Sequence, residues 1–154
     1  MKKALIVVDY QNDFVCGSLA NVFAAAIEER ICDKIKQYRE SQEDIIFTFD
    51  THNENYLHTQ EGSMLPVPHC LRSSDGWQLY GETAVLLHEN DRCFVKESFG
   101  SPELFDFLRT RNYQSVELVG VVSNICVMSN AILAKTALPE TPIIIDASCT
   151  ASND

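Results

Sequence analysis

Cys126 closes the segment Gly120-Val-Val-Ser-Asn-Ile-Cys126, where an apolar run gives way to small and polar residues. A cysteine in the first turn of a helix meets unpaired N–H groups and the positive end of the helix dipole, which favour a thiolate and can hold an oxyanion. A nucleophilic thiol also needs a proton acceptor and a balancing cation. Asp9, directly after Ala4-Leu-Ile-Val-Val8, and Lys96, directly after Cys93-Phe-Val95, supply the two groups. A second constellation joins Asp50-Thr-His52 to Pro66-Val-Pro-His69. One carboxylate and two imidazoles suit Zn²⁺, and equally Fe²⁺ or Mn²⁺, with coordination positions left open. Glu61 in the same loop is a candidate fourth ligand. Each group also has a plainer reading: a buried cysteine packed as a small hydrophobe, an aspartate capping a turn, a surface lysine, a polar loop in which Asp and His occur anyway. Cys16, Cys32, Cys70, Cys93 and Cys149 lack a helix start with charged partners and read as thiols without a function, and His58 and His88 as surface residues.

The elements that must carry these groups are visible in the hydrophobic pattern. Short apolar runs rich in β-branched residues read as strands at Ala4–Val8, Ile45–Phe49, Cys93–Val95, Val116–Val119 and Ile143–Ile145. Helical spacing runs from Val22 to about Ser41, from Pro102 to Arg111 behind a Ser101 cap, and from Ser123 to Leu138 before Pro139. Strands alternating with helices predict βαβ units, a parallel sheet and a three-layer α/β/α sandwich in one domain. The carboxyl ends of parallel strands are where such folds bind ligands, and Asp9, Asp50, Lys96 and the Cys126 turn all leave the sheet at that rim. The stretch from Asp50 to about Trp77 has no sustained periodicity, and a loop of that length in a compact domain is commonly functional.

Composition excludes several classes. With 154 residues, 22 acidic against 12 basic and a net charge of −10, the chain lacks the clustered cations that track nucleic-acid phosphates. No apolar run approaches the ~20 residues of a membrane span, and the opening run ends at Asp9, short of a signal-peptide core. Six scattered cysteines without a C-x-x-C pair read as reduced thiols, so a cytoplasmic location is expected. No two of the six glycines stand in G-x-G spacing, which leaves a dinucleotide or P-loop site unsupported. The last strand runs into Asp146–Asp154 with no helix beside it. That pattern predicts either a partner over this edge, hence a homo-oligomer, or a natural protein longer than this chain.

Taken together, Ala4–Phe14, Phe49-Asp-Thr-His52, Pro66-Val-Pro-His69, Lys96-Glu-Ser-Phe99 and Gly120–Val127 resemble the nicotinamidase/isochorismatase family of cysteine hydrolases, in the family's order. The resemblance implies the isochorismatase-like hydrolase fold, here without its usual last helix and strand. It implies a catalytic Asp9, Lys96 and Cys126, a cis Val121–Val122 peptide, and an oxyanion hole from the amides of Val122 and Cys126. Metal ligands fall on Asp50, His52 and His69, a set that isochorismatase-type members lack, which favours the nicotinamidase branch. Phe14 and Trp77 are expected as apolar walls for a flat ring. Pro66, Phe99-Gly-Ser-Pro102 and Asn124 depart from the branch's common residues. These changes line the pocket rather than the triad.

The implied activity is hydrolysis of nicotinamide or a similar small carboxamide, with ammonia released and a thioester formed on Cys126. Two other readings stay open at this point. One is a relative acting on another small amide or an N-carbamoyl compound. The other is a non-catalytic metal-binding or thiol redox-sensing protein.

Overall fold

The computed structural model describes residues 1–153. Five strands form one parallel sheet: β1 (Lys2–Val8), β2 (Asp44–Asp50), β3 (Arg92–Lys96), β4 (Tyr113–Val121) and β5 (Ile143–Ala151), in the order β3-β2-β1-β4-β5. The central strand β1 alternates between two cores. Leu5 and Val7 join Ile27, Ile31 and Ile35 on one face, and Ala4, Ile6 and Val8 join Leu104, Leu108, Ala131 and Ala134 on the other. Helices α1 (Asn12–Val15), α2 (Val22–Ala25), α3 (Glu28–Glu40), α4 (Gln60–Met64), α5 (Gly81–Leu86), α6 (Pro102–Leu108) and α7 (Met128–Ala137) complete the chain. With α3 on one face and α6 and α7 on the other, the fold is the expected three-layer α/β/α sandwich.

Three expected elements differ in detail. The helix expected from Val22 to Ser41 is broken, because α2 ends at Ala25 and α3 starts at Glu28, with the Ile27 side chain turned into the core. The loop from Asp50 to Trp77 contains α4 and two 3₁₀ turns, Tyr56–His58 and Asp75–Trp77. The helix expected from Ser123 opens instead with a π-helical turn over Ser123–Val127. The cap at Ser101 is as expected, its hydroxyl accepting from Leu104 N at 3.1 Å.

The chain moves outward from β1 to β2 and β3, then returns to the other side of β1 for β4 and β5. The sheet's topological switch point therefore lies between β1 and β4, where Asp9 and the Cys126 turn emerge. The two strands approach closely there. Gly120 has φ 113°, and a Cβ at that position would lie 2.1 Å from the Val8 carbonyl oxygen. Gly120→Ala combines a disfavoured backbone with a collision against main chain, so a loss of about 2–5 kcal/mol is expected in a thermal melt.

On the α3 face, Glu117 projects from the middle of β4. It accepts from Lys34 Nζ at 2.8 Å and from Tyr38 Oη at 2.6 Å, and Lys34 also bridges to Asp146 of β5 at 2.8 Å. Lys34 holds the Asp146 carboxyl well below the usual carboxylate range. A depressed carboxyl stabilises above its unfolded value near 4 and loses that contribution as pH falls further. Lys34→Met is therefore expected to lower stability at neutral pH and to reduce the loss between about pH 4 and 2, read from denaturant midpoints across pH. The outer strand β5 leaves Ile144 and Ile145 each 45% exposed. No helix among the described residues is long and apolar enough to cross a membrane.

Candidate active site

Asp9 ends β1 in a left-handed conformation, φ 47°, which aspartate tolerates better than most residues. Its side chain is fully buried, with Oδ1 accepting from Thr48 Oγ1 at 2.7 Å and Oδ2 lying 2.6 Å from Lys96 Nζ. Lys96, at the end of β3, is as deeply buried. Its ammonium donates to the Ser98 carbonyl at 2.9 Å, to Cys126 Sγ at 3.4 Å and to Asp50 Oδ1 at 3.4 Å. Lys96 Nζ bridges the Asp9 carboxylate and the Cys126 thiol. Three residues distant in sequence thus form one connected cluster.

The electrostatics correct the expectation of a thiolate at rest. Burial pushes the Cys126 thiol well above its ordinary value, the Asp9 carboxylate pushes it the same way, and Lys96 only partly opposes them. Burial likewise raises Asp9 against the pull of Lys96. For Lys96, burial works against the charge, but Asp9 and Asp50 more than offset it and hold the ammonium above its usual range. The cluster at rest is a neutral thiol joined through the Lys96 ammonium to a carboxylate whose basicity is enhanced. A base of that kind suits proton removal during attack rather than before it.

The Cys126 backbone is shaped by the wide π turn, in which Val127 N donates to Val122 O at 3.1 Å. Such turns recur at functional sites. The Val121–Val122 peptide is cis. Asn130 braces the turn from α7: its Nδ2 donates to the Cys126 carbonyl at 2.8 Å and to Phe99 O at 3.1 Å, and its Oδ1 accepts from Ser101 N at 3.0 Å. Nothing in its sequence setting distinguishes Asn130 from a surface residue of α7.

Asp50, His52 and His69 are buried and bring one ligand atom each within 4.8 Å of one another. Asp50 Oδ2 lies 3.1 Å from His52 Nε2 and 3.2 Å from His69 Nε2. Donor atoms around an ion with bonds of roughly 2.1 Å stand about 3.0–3.4 Å apart along a coordination edge, so the spacing fits. His69 Nδ1 meets the Val67 carbonyl at 2.7 Å, which directs Nε2 toward the site in the manner of an outer-shell partner. Glu61, on α4, places Oε2 3.2 Å from His52 Nε2, and that oxygen has no hydrogen-bond partner among the described residues. It stands beside the three-residue set rather than within it. Asp9, Asp50 and Glu61 carry three negative charges against the one positive charge of Lys96, and a divalent ion would balance the difference.

Two supports were not legible as such. Gln11 is fully buried, its Oε1 accepting from Asp50 N at 2.8 Å and its Nε2 donating to Asp50 O at 2.9 Å. Thr48 orients Asp9 from inside β2. Gln11 follows Tyr10 within the expected motif, which was the available signal.

Both constellations open on one cavity of about 380 Å³, whose walls include Cys126, Val122, Asp50, His69, Glu61 and Phe14. Trp77, expected as a wall, is not among its lining residues. Its ring packs against Phe49 with centroids 4.9 Å apart and its Nε1 donates to Thr51 Oγ1 at 2.8 Å. A half-buried indole N–H needs an acceptor, and Thr51 supplies it just past the carboxyl end of β2. Leu19, Met64, Leu65, Phe99 and Ile125 are the apolar walls instead. His58 and His88 are exposed, as expected.

A family model for the isochorismatase domain matches residues 3–154. The chain belongs to the isochorismatase family. An isochorismatase family protein of Bacillus subtilis is 31% identical over 147 residues, covering 86% of this chain and 78% of that one. A crystal structure of a B. subtilis nicotinamidase superposes with a TM-score of 0.87 at 28% identity, covering 100% of this chain and 88% of that one. A pyrazinamidase of Pyrococcus horikoshii solved in complex with zinc gives 0.85 at 25% identity over 100% and 88% of the two chains. As a member of this isochorismatase-family group, the chain is an amidohydrolase of the cysteine-hydrolase type.

Proposed function

We propose that the chain hydrolyses nicotinamide or a close heteroaromatic carboxamide to the acid and ammonia, with Cys126 as nucleophile. The observation that carries this is the Asp9–Lys96–Cys126 cluster, whose Cys126 shares one cavity with Asp50 and His69. Cys126 Sγ attacks the carboxamide carbon while Asp9 takes the thiol proton. The N–H groups of Val122 and Cys126, two residues of the cavity wall, stabilise the developing oxyanion in this reading. Asp9 passes its proton to the departing ammonia, leaving a thioester. Water then adds to the thioester as Asp9 accepts its proton, and the acid leaves as the thiol is restored. Lys96 stays charged throughout and keeps Asp9 ionised between turnovers. A divalent ion held by Asp50, His52 and His69, zinc by analogy with the Pyrococcus neighbour, supplies Lewis acidity toward a ring nitrogen when bound.

The test is ammonia release from nicotinamide, with mass spectrometry of acid-quenched enzyme. The expected result is turnover with a nicotinoyl adduct on Cys126, and loss of both activity and bound metal after dialysis against a chelator. Absence of ammonia and of an adduct in the metal-loaded protein overturns the reading. An active enzyme that stays fully active after its metal is removed overturns the metal assignment alone.

A further inference from the structure

Asn130 is fully buried on the face of α7 that carries Val127, Ala131 and Ala134 into the core. An amide there sacrifices helix propensity and hydration, and a leucine of the same branched shape would serve the packing. What the amide adds is a three-way tie. Its Nδ2 donates to the Cys126 carbonyl at 2.8 Å and to the Phe99 carbonyl at 3.1 Å, while its Oδ1 accepts from Ser101 N at 3.0 Å. Residues 96–101, on the far side of the tie, carry two parts of the site. One is Lys96, whose ammonium is held on Ser98 O at 2.9 Å, and the other is Phe99, a wall of the cavity. Lys96 Nζ and Cys126 Sγ then meet at 3.4 Å. The π-helical turn before α7 departs from regular i→i−4 bonding, so the backbone of the nucleophile relies on side-chain support more than an ordinary helical residue does.

We infer that Asn130 is a positioning residue for the hydrolase reaction, fixing the Cys126 turn against the Lys96–Phe99 segment so that Sγ meets its charged partners and the substrate in one geometry. The bond to the Cys126 carbonyl sets the nucleophile, and the bonds to Phe99 and Ser101 set the cavity wall. Side-chain chemistry can separate the two roles. Threonine inside a helix donates its Oγ1 to the carbonyl four residues back, which from position 130 is that of Cys126, and it is too short to reach Phe99 or Ser101. Valine has the same shape and no donor. This inference rests on the cysteine-hydrolase reading above.

The test is kcat and KM for nicotinamide in the metal-loaded wild type, Asn130→Val and Asn130→Thr, with the rate at which iodoacetamide alkylates Cys126 measured alongside, well below each melting temperature. Asn130→Val is expected to lower kcat by about ten- to hundredfold, the effect of a misplaced reacting group, and to slow alkylation as Sγ moves off Lys96. Asn130→Thr should recover at least about fivefold of kcat over Asn130→Val, whereas KM should be similar in the two. A merely structural amide shows in the melting temperature and leaves kcat of the folded variants near the wild-type value. Wild-type kcat in folded Asn130→Val overturns the inference, as does an Asn130→Thr no faster than Asn130→Val or better only in KM. If Asn130→Val does not fold, Asn130→Ala against Asn130→Ser repeats the contrast, since serine offers the same bond to the Cys126 carbonyl. Failure of all four to fold assigns the amide to stability alone and overturns the inference as well. A wild type without nicotinamide turnover removes the proposed substrate, and alkylation, which needs none, still decides the role of Asn130: equal rates in wild type and Asn130→Val overturn it.

Discussion

Exchanging Cys126 for alanine is expected to lower kcat for ammonia release by at least about 10⁴-fold while the protein stays folded. The size of the effect follows from the absence of a substitute. Asp9 and Lys96 are fully buried behind the thiol, so neither reaches a carbonyl carbon in the cavity, and no second thiol lines it. The structural cost is small because the side chain loses one sulfur atom and one hydrogen bond, about 1 kcal/mol, a few degrees of melting temperature. Cys126→Ser retains the shape but offers a weaker nucleophile to the same base, and a loss nearly as large is expected. Substantial ammonia release by the alanine variant would remove Cys126 from the chemistry. The raised thiol also argues against a redox sensor, whose cysteine is a stabilised thiolate, whereas burial and the nearby Asp9 carboxylate keep this one protonated at rest.

Lys96→Met is expected to produce the largest loss of stability in the molecule, about 3–5 kcal/mol. Removing the ammonium leaves the Asp9 carboxylate buried with no cation at 2.6 Å and with Asp50 nearby. Thermal melts should fall by roughly 6–20 °C. Asp9→Asn combined with Lys96→Met removes both charges at similar volume and should recover most of the loss, which makes the interaction measurable as a double-mutant cycle. The deficit of the single variant also has a pH signature. Burial already raises Asp9, and without Lys96 it is raised further. A carboxyl raised in the folded state destabilises fully above its folded value and ceases to do so below its unfolded value near 4, so the deficit should shrink as pH falls toward 4. A deficit that is constant from pH 8 to 4, or a double variant no better than the single, contradicts the account of Asp9 as an ion stabilised by Lys96.

The strand ends were legible because parallel strands buried on both faces read as unbroken apolar runs, and the first charged residue after each run marks where the strand leaves the core. Asp9, Asp50 and Lys96 were found that way, and the sheet brings them together. What the pattern does not carry is direction. Trp77 has the composition of a pocket wall, yet its indole is committed to Thr51, a choice made by a hydrogen bond across 26 positions. The break between α2 and α3 is equally hidden, since Ile27 and Ile31 keep helical spacing through it. Glu117 interrupts no apolar run long enough to draw notice, although Lys34 and Tyr38 make its burial tolerable only through contacts more than 75 positions away. The rise of the Cys126 thiol is likewise a consequence of enclosure, whereas position at a helix start alone suggests the reverse.

The β1–β2 ladder ends at the Val8–Thr48 pair, because Asp9 turns out of the strand. Asp50 should therefore lose its neighbour on that side, and the amide of Gln11 stands in for the missing peptide unit, offering it one donor and one acceptor. The side chain acts as a splice that continues the sheet for one more rung after the main chain has departed. Its effect is mechanical: Asp9, the proposed base, and Asp50, the proposed metal ligand, are fastened to one rigid piece. A disturbance at either centre is then carried to the other as a shift of the whole rim rather than absorbed by a loop.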